Sequence, residues 1–293
     1  MRPTEFGAAE ARAYFEADEL LRRPEQELRE ACDRLLFLLE SGEARAASRD
    51  PDGAWGAEAW VKRGILLSFK LSKLTEYDSW PGGAVDKDAY PPRLLGLDEG
   101  VRIVPGGSSV RRGACVRPGV VIMPPAFVNV GAYVGEGTMV DSHALVGSCA
   151  QIGRGVHLSA GAQIGGVLEP AGARPVVVED GCFVGALAGA FEGVVLREGC
   201  VLAPGCLLTA STTVYDAVKG RELRGEIPQG AVVVPGSRPI AAPSDEGAGR
   251  AWAAARGLSL YAPIIVKYRD SGTDAVEAFE VLEAVDLDAR AGG

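Results

Sequence analysis

Few side chains in this chain suit chemistry, and the most suggestive stand close together. In MVDSHALVG, Asp141 and His143 put a carboxylate and an imidazole two residues apart. Such groups can accept a proton or orient an amine in a reaction. Asp141 reads either in that role or as an aspartate capping a turn. His143 reads either as a substrate contact or as a turn histidine. Glu192, in FEGVV, is a second carboxylate candidate and reads equally as a solvated surface residue. The chain has two histidines, His143 and His157, and the second reads as structural. A three-histidine zinc site cannot be assembled from that inventory, so no metal is expected. The six cysteines (Cys32, Cys115, Cys149, Cys182, Cys200 and Cys206) show no C-x-x-C spacing, which suits reduced thiols in the cytosol. Several stretches are glycine-rich, yet none opens a helix after a lone strand, which excludes Walker and dinucleotide loops.

The elements that must position these groups follow from a repeat. Counting in sixes from Val110 gives Val116, Ile122, Val128, Val134, Val140, Val146, Ile152, Leu158 and Ile164. After an eight-residue insertion around LEPAGARPVV the count resumes at Val178, Val184, Ala190, Leu196, Leu202, Leu208 and Val214. Of these 17 positions only Ala190 is not a branched aliphatic. A sandwich would alternate with period two, with turns every 8 to 12 residues. A hexad instead makes one short strand and one turn, and three hexads close a triangular coil. The fold class expected is therefore mainly β, a left-handed parallel β-helix whose coils stabilise one another in series. The aliphatic residue points inward. Four residues later a compact one (Ala132, Thr138, Ala144, Ala150, Ala162) fits the corner. The glycine directly after the aliphatic (Gly135, Gly147, Gly153, Gly165, Gly185) is expected to supply positive φ for the turn. The insertion must leave the column as an external loop.

Flanking pieces complete three expected domains: a helical N-terminal domain over 1–103, the β-helix over 104–239, and a C-terminal strand and helix cap over 240–293. PEQELREACDRLLFLLESG has helical spacing with Pro24 near its start and Gly42 as its stop, and AEAWVKRGILLSFKL is a second amphipathic run. Thr75 to Asp98 reads as loop. A polar excursion, YDAVKGRELRGE, precedes a last coil-like piece, IPQGAVVVPGSRP. A linker (AAPSDEGAGR), a strand (LYAPIIVKYR) and an acidic helix (TDAVEAFEVLEAVDL) follow.

The bulk numbers bound the function. A net charge of −9 argues against nucleic acid and membrane surfaces as general partners, since both favour a basic face. From Tyr215 to Asp270 eight Lys or Arg meet six Asp or Glu, a local +2 that favours a polyphosphate such as CoA at that end. No apolar run has signal-peptide or membrane-spanning length.

FVNVGAYVGEGTMVDSHALVGSCAQIGRGVHLSAGAQIGGVLEP resembles the central signature of the tetrahydrodipicolinate N-succinyltransferases, within the hexapeptide-repeat acyltransferases. WVKRGILLSFKL, VVVEDGCFVGA, STTVYD, IPQGAVVVPGSRP and YAPIIVKY extend the likeness over roughly residues 55 to 270. The resemblance implies a homotrimer of parallel β-helices with active sites between neighbouring subunits, and the cysteines point to a cytoplasmic location. It also implies transfer of succinyl from succinyl-CoA to the amino group of opened tetrahydrodipicolinate, 2-amino-6-oxopimelate. It carries Asp141 onto a catalytic and substrate-binding carboxylate, and Arg102, in GVRIVP, onto a substrate-binding arginine. It departs from the family at one place. Enterobacterial members carry Arg-Ser-Glu after CFIGA, with that Glu regarded as catalytic, where this chain has Leu187, Ala188 and Gly189. Glu192, shared with the family and with related N-acetyltransferases, is then the remaining catalytic candidate. On hexad counting it lies on a different face from Asp141, two to three coils away. CoA is expected along a groove between columns. Gly165 and Gly166 would allow close approach of the pantetheine arm, and Lys267 could reach a phosphate. Ordinary turn glycines and a solvated strand lysine are the alternatives. An acetyl-CoA-dependent N-acetyltransferase and a non-catalytic β-helix scaffold remain the competing functions.

Overall fold

A computed structural model describes residues 2–78, 83–241 and 248–269. The acidic C-terminal helix and most of the expected linker fall outside these residues.

Hexad after hexad, the chain forms two-residue strands on three faces of a left-handed parallel β-helix. Face one carries Arg102–Ile103, Val121–Ile122, Met139–Val140, His157–Leu158, Phe183–Val184, Val201–Leu202 and Ala231–Val234. Face two carries Ser109–Val110, Phe127–Val128, Leu145–Val146, Gln163–Ile164, Gly189–Ala190 and Leu207–Leu208. Face three carries Cys115–Val116, Tyr133–Val134, Gln151–Ile152, Val177–Val178, Val195–Leu196 and Glu226–Ile227. Residues 18 apart pair in register, as Met139 with His157 and Val140 with Leu158. Across the insertion Gln151 pairs with Val177, so the eight extra residues leave the ladder undisturbed. The inward aliphatics and the compact corner residues form one buried core running the length of the column. Each buried Val, Leu or Ile contributes about 1.5–3 kcal/mol, a gain realised only when the next coil covers it.

The glycines divide into two kinds, which corrects the expectation for the residue after each aliphatic. Gly135, Gly147, Gly153, Gly165 and Gly185 do not have positive φ. They are small because the next coil is in the way: a Cβ at Gly185 would lie 2.6 Å from the Pro204 nitrogen. Positive φ falls two residues later, at Gly113, Gly119, Gly131, Gly137, Gly155, Gly161, Gly181, Gly199 and Gly205.

The ends also differ from expectation. Val214, the last hexad position counted, stays in the buried core but does not take its expected place on face three. Val214–Asp216 forms a hairpin with Arg221–Leu223 at the end of the face-one sheet, and Glu226–Ile227 takes the vacated place on face three. The expected C-terminal strand is two strands, Ser259–Tyr261 against Ser237–Pro239 and Ile264–Tyr268 against Ala231–Val234. Pro263 between them has no N–H to continue a ladder. Ala248–Ala254, in the region read as linker, is helical.

In the N-terminal part, α1 (Ala8–Glu16), α2 (Glu25–Ser41) and α3 (Ala59–Leu71) pack together. Gly42 ends α2 at φ 80°. Hairpins Ala47–Arg49/Trp55–Ala57 and Leu74–Glu76/Val85–Lys87 flank α3, the second within the stretch read as loop. Val130 and Cys149, at the corner between faces two and three, sit in the same apolar cluster as these helices and clamp them to the column. No helix among the described residues is long and apolar enough to cross a membrane.

Candidate active site

Corner turns set the candidate side chains. In most coils the third residue after the aliphatic is a left-handed glycine. Three turns use another residue there: His143 at φ 63°, Cys149 at 66° and Leu187 at 58°. The Glu192 turn has two left-handed residues: Gly193 keeps the usual third place at φ 77°, and Glu192 before it adds a second at φ 55°. A Cβ in this region costs roughly 1–2 kcal/mol, and such residues persist where surrounding structure holds them.

The supports around Glu192 are visible. Arg174 of the external loop donates from Nε to the Gly193 carbonyl at 2.8 Å and from Nη2 to the Gly225 carbonyl at 3.3 Å. On the loop's other side, Lys62 of α3 donates Nζ to the Ala173 carbonyl. Lys62 is fully buried and makes no ion pair among the described residues, and burial lowers its pKa. The loop, held from both sides, closes a cavity of about 670 Å³ at the corner between faces two and three. Gly165, Gly166, Glu169, Ala173, Phe191, Glu192 and Thr209 line it. Two expected donor-binding glycines and one expected catalytic carboxylate therefore share one pocket.

Packing explains those glycines. A Cβ at Gly166 would lie 2.6 Å from the Ser148 nitrogen, and one at Gly165 2.8 Å from the Phe191 ring. Neither has positive φ, so crowding rather than a left-handed backbone is what demands glycine at both. The same ring accounts for Gly189, where a Cβ would come within 2.6 Å of Phe191 Cε2. Phe191 thus fills the space on face two that a longer side chain at 189 would need. Glu192, exposed at the rim, is the carboxylate this turn presents.

Asp141 stands at another corner, between faces one and two. Its Oδ1 accepts from the Ser142 N–H at 2.7 Å, a capping bond that leaves Oδ2 free of any hydrogen bond among the described residues. His143 is exposed on the same turn, and its carbonyl accepts from Gln163 Nε2 at 3.1 Å. Arg102 is exposed on face one in register with Met139, two strands and about 10 Å away, so it stands on the face that leads into the Asp141 corner. Asp141 and Glu192 are not brought together: the strands beside them on face two are two coils apart, again about 10 Å, and they flank that face on opposite corners. Lys267 pairs with Val232 at the far end of face one, remote from Gly165 and Gly166. His157 stacks on Phe183, ring centroids 4.9 Å apart, as a structural histidine would.

Lys62, Arg174 and Phe191 were not singled out from sequence. The available signals were a lysine on the helical run WVKRGIL and the lone alanine, Ala190, between Gly189 and Phe191.

Known proteins bear on this geometry. A profile described as tetrahydrodipicolinate N-succinyltransferase N-terminal matches residues 9–71, and one described as hexapeptide repeat of succinyl-transferase matches 175–210. A 2,3,4,5-tetrahydropyridine-2,6-dicarboxylate N-succinyltransferase of Afipia carboxidovorans is 44% identical over 267 residues, 89% of this chain and 92% of that protein. The chain belongs to the tetrahydrodipicolinate N-succinyltransferase family. A second relative of the same description, from Nitrobacter hamburgensis, is 50% identical over 219 residues, 73% of this chain and 77% of that one. A solved Campylobacter jejuni structure, described as a 2,3,4,5-tetrahydropyridine-2-carboxylate N-succinyltransferase, superposes with TM-score 0.52 at 19% identity. It covers 80% of this chain and 62% of its own, and at that identity it speaks for the family's fold alone.

Proposed function

We propose that the chain transfers a succinyl group from succinyl-CoA to the amino group of tetrahydrodipicolinate, in its opened form 2-amino-6-oxopimelate, within diaminopimelate and lysine biosynthesis. The substrate amine attacks the thioester carbon, the new C–N bond forms, the C–S bond breaks and CoA leaves as the thiol once it takes a proton. A carboxylate that accepts the amine proton is often worth 10²–10⁴-fold in rate. Two carboxylates on different corners of one column serve one reaction if columns pack side by side, so Asp141 of one subunit faces Glu192 of its neighbour in a homotrimer. Arg102, on the face that leads into the Asp141 corner, pairs a substrate carboxylate, and His143 lines the turn of Asp141. The thioester arm runs over Gly165 and Gly166 beneath the external loop.

Within the chain, the observation that carries this reading is the cavity holding Gly165, Gly166 and a left-handed Glu192. The column 104–239 is the working unit, with 1–103 and 240–293 as its flanks. Six free, buried cysteines suit a cytoplasmic setting. The test is thiol release from succinyl-CoA and from acetyl-CoA with 2-aminopimelate as acceptor, alongside molar mass by light scattering. Release with succinyl-CoA from a trimer supports the proposal. A preference for acetyl-CoA makes the chain an N-acetyltransferase, and release with neither leaves a scaffold.

A further inference from the structure

Face three carries a second cavity, of about 430 Å³, where the Ala47–Arg49/Trp55–Ala57 hairpin overhangs the column. None of the acyl-transfer candidates lines it. Its floor is Tyr133, Gln151 and Val177, and its far wall is the corner between faces three and one. The hairpin is fixed in place: Trp55 Nε1 donates to Glu179 Oε1 at 2.7 Å, and Arg197 Nη1 to the Gly53 carbonyl at 2.8 Å.

Arg45 is the unusual member. Its guanidinium lies 3.8 Å from the Tyr133 ring centroid, and its Nε donates to Gln151 Oε1 at 2.9 Å. Gln151 is buried, and its Nε2 is held by the carbonyls of Gly131, Cys149 and Ala150, so Oε1 has one orientation to offer. Arg45 is therefore stacked, oriented and half-buried, yet it makes no ion pair among the described residues. Burial outweighs the distant carboxylates of Asp180 and Glu136 and lowers its pKa. Withdrawing a guanidinium from water without a counter-ion is costly, and its two outer nitrogens form a fork matched to a carboxylate.

Two further arginines line the cavity and are already paired, Arg49 with Glu179 and Arg154 with Glu136, while the far wall also carries Asp180 and Glu198. Asp180 uses one oxygen to accept from the Arg154 N–H at 2.8 Å, and neither it nor Glu198 makes an ion pair among the described residues. Glu179, by contrast, is saturated by Trp55, Arg197 and the Glu198 N–H. Of the three arginines, Arg45 alone makes no ion pair among the described residues, and it stands opposite two unpaired carboxylates with an aromatic and aliphatic floor between them. We propose that this pocket binds a free α-amino acid, its carboxylate on the Arg45 guanidinium, its ammonium at Asp180 and Glu198, and its side chain over Tyr133 and Val177.

Titration calorimetry on the full chain tests this, with the twenty standard L-α-amino acids, succinate and inorganic phosphate as probes. Saturable binding of at least one amino acid is expected, and none of succinate or phosphate at the same concentration. Arg45→Gln and Arg45→Lys should each weaken that binding at least tenfold, and Asp180→Asn should weaken it severalfold. Asp141→Asn should leave it unchanged, which separates the pocket from the acyl-transfer site. Melting curves matching the parent's show that the variants fold. Binding of no amino acid, binding that survives Arg45→Gln in folded protein, or equal binding of succinate or phosphate overturns the proposal.

Discussion

The two corners that present Asp141 and Glu192 are built differently. The Asp141 corner obeys the repeat: its left-handed residue, His143, falls where other coils place glycine, and the Ser142 N–H settles one carboxylate oxygen. The Glu192 corner adds a second left-handed residue ahead of the repeat's own, Gly193, and is held by groups outside the repeat, namely the external loop, Arg174 and, at one remove, Lys62 of α3. A periodic scaffold can place a side chain unaided. A strained one needs tertiary struts.

That contrast can be broken in four ways. The largest effect is expected from the carboxylates themselves: Asp141→Asn and Glu192→Gln should each lower kcat by about 10²–10⁴-fold, with unchanged circular dichroism. If both retain parent rates, neither corner is catalytic. Next, Gly189→Glu should displace Phe191 and destabilise the folded chain by about 1–3 kcal/mol, as overpacking does, read from denaturant midpoints. Adding Phe191→Ala should recover most of that loss. Third, Glu192→Gly and His143→Gly relieve a left-handed Cβ, and each should stabilise by up to about 1 kcal/mol while Glu192→Gly abolishes turnover. A destabilised Glu192→Gly would mean that the turn is not strained.

The smallest effect concerns Lys62. Lys62→Met removes one donor from the loop, worth about 1 kcal/mol, and should raise KM for the acyl donor severalfold more than it lowers kcat. It also has a pH signature. Burial depresses the folded-state pKa of Lys62, so the unfolded chain binds its proton more readily. The lysine's contribution to stability therefore rises as pH climbs through the folded pKa toward 10.5, and is lost as pH falls. The parent-minus-variant difference in unfolding free energy should increase across that window, and a flat difference would place Lys62 in water.

Much of the column is legible in sequence because its physics is local and repeated. A hexad aliphatic such as Val140 meets the same environment at Ile122 and Leu158, so counting locates Asp141 on its turn. The phase of the glycines escaped counting. Gly147 and Gly161 differ in what surrounds them, a neighbouring coil for one and a left-handed backbone for the other, and a list of positions carries neither. Val214 misled because it is aliphatic and in step, yet the pairing of Val214–Asp216 with Ile264–Tyr268, far along the chain, outbids the column. Lys62 and Arg174 act between segments more than a hundred residues and about twenty residues apart, on atoms that only the folded chain brings together.

Because pairing recurs every 18 residues, the column has a rotational frame. Excising one full turn upstream of Asp141 would shorten the shaft by a storey and return every later residue to its own edge. Excising six would rotate everything downstream by a third of a revolution, carrying Glu192 and its loop together to an edge that α3 cannot reach. The eight-residue insertion escapes this rule by bulging outward rather than being spliced into the winding.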